Sequence, residues 1–341
     1  MSPLFLKWRY LPWLTPWLIK FLRNANSSDS QRTIEALIPL VSDSVQQHKR
    51  LTEGTSAANW IADSKFSYAY RSLADFQKDS FSWECKKKVG MVPEIFVGRE
   101  VQEIEPICGS VIECLAVISG QGHIINPQGY ITELMKIFYH NGGKFINAKV
   151  KDFGFHNEKI HVVFTDNGKF ECDKVVITAG IWSKNLMRKL GLKIPLEAER
   201  GYHVVYKNAS ILPRNPMMMT VGKFGVTPMK GDLRCAGTVE LGGIKIGPSQ
   251  GPIKLLRRRV AEAFPKMTYD KTEEWLGFRP TAPDSLPLIG QLKESGVYTA
   301  FGHQHIGMTS GPKTGRLISD IINYRSPNIN MSFYDPNRFN S

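Results

Sequence analysis

The stretch that decides the fold runs from Trp275 to Arg316: WLGFRPTAPDSLPLIG at 275–290, a short spacer, then VYTAFGHQHIGMTSGPKTGR at 297–316. It reads as an arginine-proline turn at Arg279, a buried strand VYTAF, a glycine-punctuated loop, and a helix opening near Pro312. A strand that passes through glycines into a helix leaves the first helical N–H groups without intrahelical partners, at the positive end of the dipole. Such an end suits a phosphate, or an electron-rich ring that gains negative charge. Arg279, held in a Pro-containing turn, is placed for a bidentate carboxylate partner. SGPKTG at 310–315 fails as a P-loop, because Pro312 stands where a glycine must precede the lysine.

Working outward, DKVVITAGIWS at 173–183 predicts a strand buried on both faces, ending in Thr178, Ala179 and Gly180, whose small size lets a bulky ligand approach the backbone. Before it come an amphipathic helix, ITELMKIFYHNGG, ended by Gly142–Gly143, and the alternating segments KFINAKVKDF and KIHVVFTDNGKFEC, the second with a hairpin turn at Asp166–Asn167–Gly168. RGYHVVYKN at 200–208 and GVTPMKGDLRCAGTVELGG at 225–243 predict an antiparallel sheet, and a helix is expected from about Ile253 to Phe264. Nearer the start, Ile34, Leu37, Ile38, Val41 and Val45 set a helical period over 29–51, capped by Asp29 or Ser30 and kinked or divided at Pro39. KKKVG and MVPEIFVGRE read as a surface turn and loop. The order is that of a mixed α/β protein.

Composition narrows the partners. The net charge of +13 comes from 44 Lys+Arg against 31 Asp+Glu. The basic residues are spread along the chain, and the short runs Lys86–Lys88 and Arg257–Arg259 are not interleaved with aromatics, so a nucleic-acid groove is not expected. Five scattered cysteines with no C-x-x-C pair argue for a reducing compartment. No metal site is expected, since nothing nearby completes a set around His303 and His305. In the opening 25 residues, Lys7, Arg9, Pro12, Pro16 and Lys20 exclude a signal peptide and a membrane span. Trp8, Trp13, Trp17 and Phe21 either pack on the protein's own core or lie in a membrane interface.

The two quoted C-terminal segments, with DKVVITAGIWS and the sheet between them, resemble the D-amino-acid oxidase superfamily of flavoproteins, most closely the bacterial FAD-dependent D-amino-acid dehydrogenases. The resemblance covers residues 1–339. It implies an FAD-binding Rossmann-like domain interleaved with an antiparallel-sheet substrate domain: a helical segment over 1–51, substrate-domain parts over 52–122 and 196–278, FAD-domain parts over 123–195 and 279–325, and a tail over 326–341. It implies that Arg279 clasps the substrate carboxylate and that Tyr202 and His203 line the substrate pocket. Val150, Thr178, Ala179, Gly180, Gly302, His303, Gly307, Met308 and Thr309 would then border the cofactor.

The implied reaction is oxidation of the CH–NH2 group of a D-amino acid to a 2-oxo acid and ammonia, by hydride transfer to flavin. No general base is visible, and the electron acceptor stays open between quinone and oxygen. A quinone acceptor, with the aromatic-basic opening, predicts peripheral contact with an anionic membrane at the cytoplasmic face. The alternatives are a glycine- or sarcosine-type amine oxidase, or a non-catalytic remnant or subunit whose FAD site a partner chain completes. One departure stands out: no G-x-G-x-x-G occurs in the sequence, although this family opens with one. The expectation is an incomplete Rossmann-like domain that lacks its first βαβ unit and holds FAD weakly.

Overall fold

The strand-forming segments collect into three sheets. The computed structural model describes residues 4–109 and 111–339, so the first three residues of the 1–51 segment and the last two of the 326–341 tail lie outside the described residues. The largest sheet has nine strands, in the order Lys271–Thr281, Glu197–Lys207, Leu233–Leu241, Phe224–Pro228, Met217–Met219, Ile61–Tyr70, Cys114–Ile124, Glu94–Val97, with Leu4–Leu6 alongside Leu233–Leu241. Burial alternates from Tyr202 to Lys207 along the strand Glu197–Lys207, as a two-residue period requires. Tyr202, Val204 and Tyr206 point into a core with Ile253, Leu256 and Val260 of the helix Gln250–Ala263. The opposite face, carrying Glu199, His203 and Val205, is only partly covered.

A three-stranded sheet joins Leu288–Gln291, Val297–Phe301 and Val175–Ile177, the last two parallel. The hairpin strands Val150–His156, Lys159–Thr165 and Gly168–Glu171 form an antiparallel sheet of their own. The Asp166–Asn167 turn is as expected, with Gly168 at φ 108°.

Several expectations need correction. Arg279 and Pro280 lie in an edge strand, not in a turn; an edge tolerates Pro280 because its missing N–H leaves no ladder bond unmade. The helix after the glycine loop opens at Gly307, not near Pro312, which sits inside it. Val176 is 37% exposed, so its strand is not buried on both faces: alternation turns Val176 away from the buried Ile177, toward a side that is only partly covered. Glu94–Val97 is a strand and Arg99–Ile104 a helix, where a loop was expected. In KFINAKVKDF the strand begins only at Val150. Pro39 does precede a division, into Ser27–Val41 and Ser44–Thr52, but Asn26 caps the first helix, its side chain accepting from Asp29 N.

Of the opening aromatics, Trp17 packs inward at 6% exposure and donates from Nε1 to the Thr281 carbonyl at 3.1 Å, while Trp8 and Trp13 are exposed. Among the described residues no helix is long and apolar enough to cross a membrane.

Candidate functional site

Strand register brings the site's side chains together. Arg279 stands opposite Glu199, Gly277 opposite Gly201 and Trp275 opposite His203. The guanidinium of Arg279 passes over Gly201: a β-carbon there would sit 2.5 Å from Arg279 Cζ and push the guanidinium aside. Among the described residues the guanidinium makes no hydrogen bond and no ion pair. Water reaches these half-buried donors, and a carboxylate that displaces it gains a charge-assisted pair. The nearest acid is Glu199, whose carboxyl is pushed up by burial and pulled back in part by Arg279.

His203 stacks on Trp275 with ring centroids 4.9 Å apart and 20° between planes. Its Nδ1 faces the Arg234 guanidinium at 3.3 Å, which makes Nδ1 an acceptor. Burial, then Arg234, then Arg279 push its pKa down to about 4, so the ring is neutral at pH 7.

The glycine loop is tied to the end of the same edge strand. His303 bridges Thr281 through the backbone, and Gln304 N donates to the Pro280 carbonyl at 3.2 Å. His303 Nε2 lies 3.0 Å from Thr314 Oγ1, and burial pushes its pKa down to about 4. His305, although it reaches solvent, is pushed down by the surrounding protein and then by the charge of Arg279. Gly302 turns the chain at φ 88°, a left-handed conformation that favours glycine. Gly307, Met308 and Thr309 then form the exposed first turn of the helix Gly307–Ile322.

Pro312 has a consequence for that first turn. With no N–H, it leaves the Met308 carbonyl without its helical partner. His48 Nε2 takes the carbonyl at 2.9 Å, and His48 Nδ1 lies 2.7 Å from the Tyr130 hydroxyl. Since Nε2 must donate to a carbonyl, Nδ1 accepts from the tyrosine. Burial lowers the pKa of His48, in keeping with this neutral form.

Thr178, Ala179 and Gly180 leave the end of Val175–Ile177 beside the end of Val297–Phe301, with Ile177 opposite Thr299. Two parallel strands thus open their carboxyl ends side by side, the position where α/β sheets bind ligands. The small residues there and the exposed helix N-terminus fit the ring end of a flavin, which gains negative charge on reduction.

Two of the expected residues fall elsewhere. Val150 opens a strand of the separate hairpin sheet, paired with Thr165. Tyr202 lies on the far face of the large sheet from Arg279 and His203, 1% exposed, its hydroxyl donating to Glu240 Oε2 at 2.7 Å. Neighbouring strand residues point to opposite faces, so Tyr202 and His203 cannot share a pocket wall. Arg234 and His48 went unremarked. No group of three or more His, Cys, Asp or Glu gathers as a metal site among the described residues.

The profile of the FAD dependent oxidoreductase (DAO) family matches residues 7–321. A D-amino-acid oxidase of Bradyrhizobium diazoefficiens is 32% identical, over 99% of this chain and 82% of its own. A D-amino acid dehydrogenase of Paramagnetospirillum magneticum is 26% identical, over 100% of this chain and 82% of its own. The crystal structure of glycine oxidase from Geobacillus kaustophilus shares the fold, with a TM-score of 0.78 at 21% identity, over 89% of this chain and 83% of that one.

Proposed function

Because the chain belongs to the DAO family of FAD-dependent oxidoreductases, and so is an enzyme of amino-acid oxidation, we propose that it acts on D-amino acids, converting the CH–NH2 group to a 2-oxo acid and ammonia. The observation that carries this reading is the unpartnered guanidinium of Arg279 over Gly201, beside the His303–Met308 loop. Thr178, Ala179, Gly180 and the first turn Gly307–Thr309 would hold the ring end of FAD, which would supply the hydride acceptor. Arg279 holds the α-carboxylate through two parallel charge-assisted hydrogen bonds, which fixes the α-carbon relative to the loop. Gly302 and the Thr281–His303 bridge keep loop and arginine in one frame. The hydrogen bond from His48 to the Met308 carbonyl holds the first helical turn despite Pro312. Loss of hydride and a proton leaves an imino acid; water adds at carbon, and ammonia departs.

The test is product analysis with the FAD-loaded protein on paired D- and L-amino acids, glycine and sarcosine. A 2-oxo acid and ammonia in equal amounts from the D-enantiomers is expected. Turnover confined to glycine or sarcosine would replace this reading with the amine-oxidase alternative.

Contact with an anionic membrane is supported by a second region. Trp13, 71% exposed, borders a cleft of about 600 Å³ also lined by Lys20, Lys184 and Arg188. Exposed indole beside clustered cations suits a headgroup layer, each cation adding about 1 kcal/mol near anionic lipid. Flotation with phosphatidylserine vesicles at low salt is expected for the wild type and lost in Trp13→Ser; protein that stays at the bottom in both cases refutes the contact.

A further inference from the structure

The face that carries Arg279 holds a second arginine. Arg234 lies on the strand Leu233–Leu241, one strand further in, opposite Val205. That register points its side chain to the Arg279 side of the sheet, and its contact with His203 Nδ1 at 3.3 Å agrees. His203 is the meeting point: both guanidiniums act on the one neutral ring, and Arg279, after burial, also lowers Arg234 as a like charge does. The row Trp275, His203, Ala236, Gly225 crosses the sheet between them, and its inner half is almost bare of side chain. A β-carbon on Gly225 would meet nothing closer than 3.7 Å. Beyond Arg234, over Gly225, that face is open.

The donors and acceptors do not balance. Arg279 has five N–H donors and Arg234 five more, and the contact with His203 is the only hydrogen bond among the described residues that uses any of them. Neither arginine makes an ion pair there, and Glu199, the nearest acid, is held toward its neutral form by burial. An amino acid with one carboxylate answers Arg279 and leaves Arg234 facing a like charge.

We propose that this site selects amino acids carrying a second carboxylate, with Arg279 on the α-carboxylate and Arg234 on the side-chain carboxylate, so that D-aspartate or D-glutamate is the preferred class. Arg234 is then a specificity-determining residue. This inference rests on the proposed role of Arg279, and the experiment separates the two.

The measurement is the ratio of kcat/KM for D-glutamate or D-aspartate to that for D-alanine, in the FAD-loaded wild type, Arg234→Gln and Arg279→Lys. Calorimetric binding of the same three amino acids accompanies it, so that a slow enzyme still gives an answer. The wild-type ratio should be well above one for at least one acidic substrate. Arg234→Gln should lower that ratio about 10- to 150-fold, the range for one charge-assisted pair. Arg279→Lys should weaken acidic and neutral substrates together and leave the ratio near its wild-type value. A wild-type ratio below one in both turnover and binding, or an Arg234→Gln ratio equal to wild type, overturns the inference. Arg279→Lys with undiminished affinity for every substrate would instead overturn the role of Arg279. If Arg234→Gln is poorly folded, Arg234→Lys keeps the charge and should retain part of the preference.

Discussion

Two arginines on opposite faces of the same sheet differ in almost every respect. Arg200 is 0% exposed and uses its donors fully: Nε on Glu240 Oε2 at 2.7 Å, and the two terminal nitrogens on the carbonyls of Gly243, Ile246 and Gly247 and the Tyr202 hydroxyl. Arg279, one strand away, has no such bond among the described residues. Arg200 is sealed from water, whereas Arg279 is half-buried. A saturated guanidinium belongs to the architecture; an unsaturated one, over bare glycine backbone, waits for a ligand.

The contrast breaks most decisively through stability. Arg200→Met takes from Glu240 its buried ion-pair partner, leaving it Tyr202, Ser249 and the partly exposed Lys7, and removes the donors of three carbonyls. A loss of about 3–5 kcal/mol in urea unfolding is expected. Arg279→Met removes charge that has no partner, so its unfolding midpoint should stay near wild type. Equal losses in the two variants would erase the distinction.

Acid should act next. His203, beside the open guanidinium, and His303 are both held near a pKa of about 4 in the folded protein, chiefly by burial, against 6.5 for free histidine. In that interval the unfolded chain binds more protons, so their contribution is fully present above about pH 6.5 and is lost as pH falls toward about 4. Urea midpoints at pH 7, 5.5 and 4.5 should fall in that order, and His203→Asn should flatten the trend in part. A midpoint that holds level to pH 4.5 would contradict the neutral state of these rings.

The smallest effect concerns the support of the open side. Tyr130→Phe removes the hydroxyl that His48 Nδ1 accepts from. It should cost about 0.5–1.5 kcal/mol, one neutral hydrogen bond. His48→Ala should cost more, since the Met308 carbonyl then has neither Pro312 nor imidazole. If both variants unfold like wild type, the chain from Tyr130 to the helix start has no structural weight.

How much of this was legible in the sequence depended on how local the cause was. The FRP segment and the glycine loop could be read because strand, glycine and helix follow one another within Trp275–Arg316. The pairing of Tyr202 with His203 went against the strand period, which alone sets them on opposite faces. Arg234 was hidden by register: the ladder to Glu197–Lys207 shifts between Ala236 and Thr238, and no local pattern shows which face the residues before the shift adopt. Pro312 reads from the sequence as the helix opening, and only its place inside the helix frees the Met308 carbonyl. That the answering donor is His48, 260 residues away, is a fact of packing only.

The most direct test of the central claim is amino-acid affinity measured in wild type and Arg279→Ala at equal FAD loading. If the unsaturated guanidinium holds the substrate carboxylate, alanine should weaken binding about 10- to 150-fold, equivalent to about 1.5–3 kcal/mol, and lysine should restore only part, lacking the planar fork. Unchanged affinity in the alanine variant would contradict the account and assign the carboxylate to another residue.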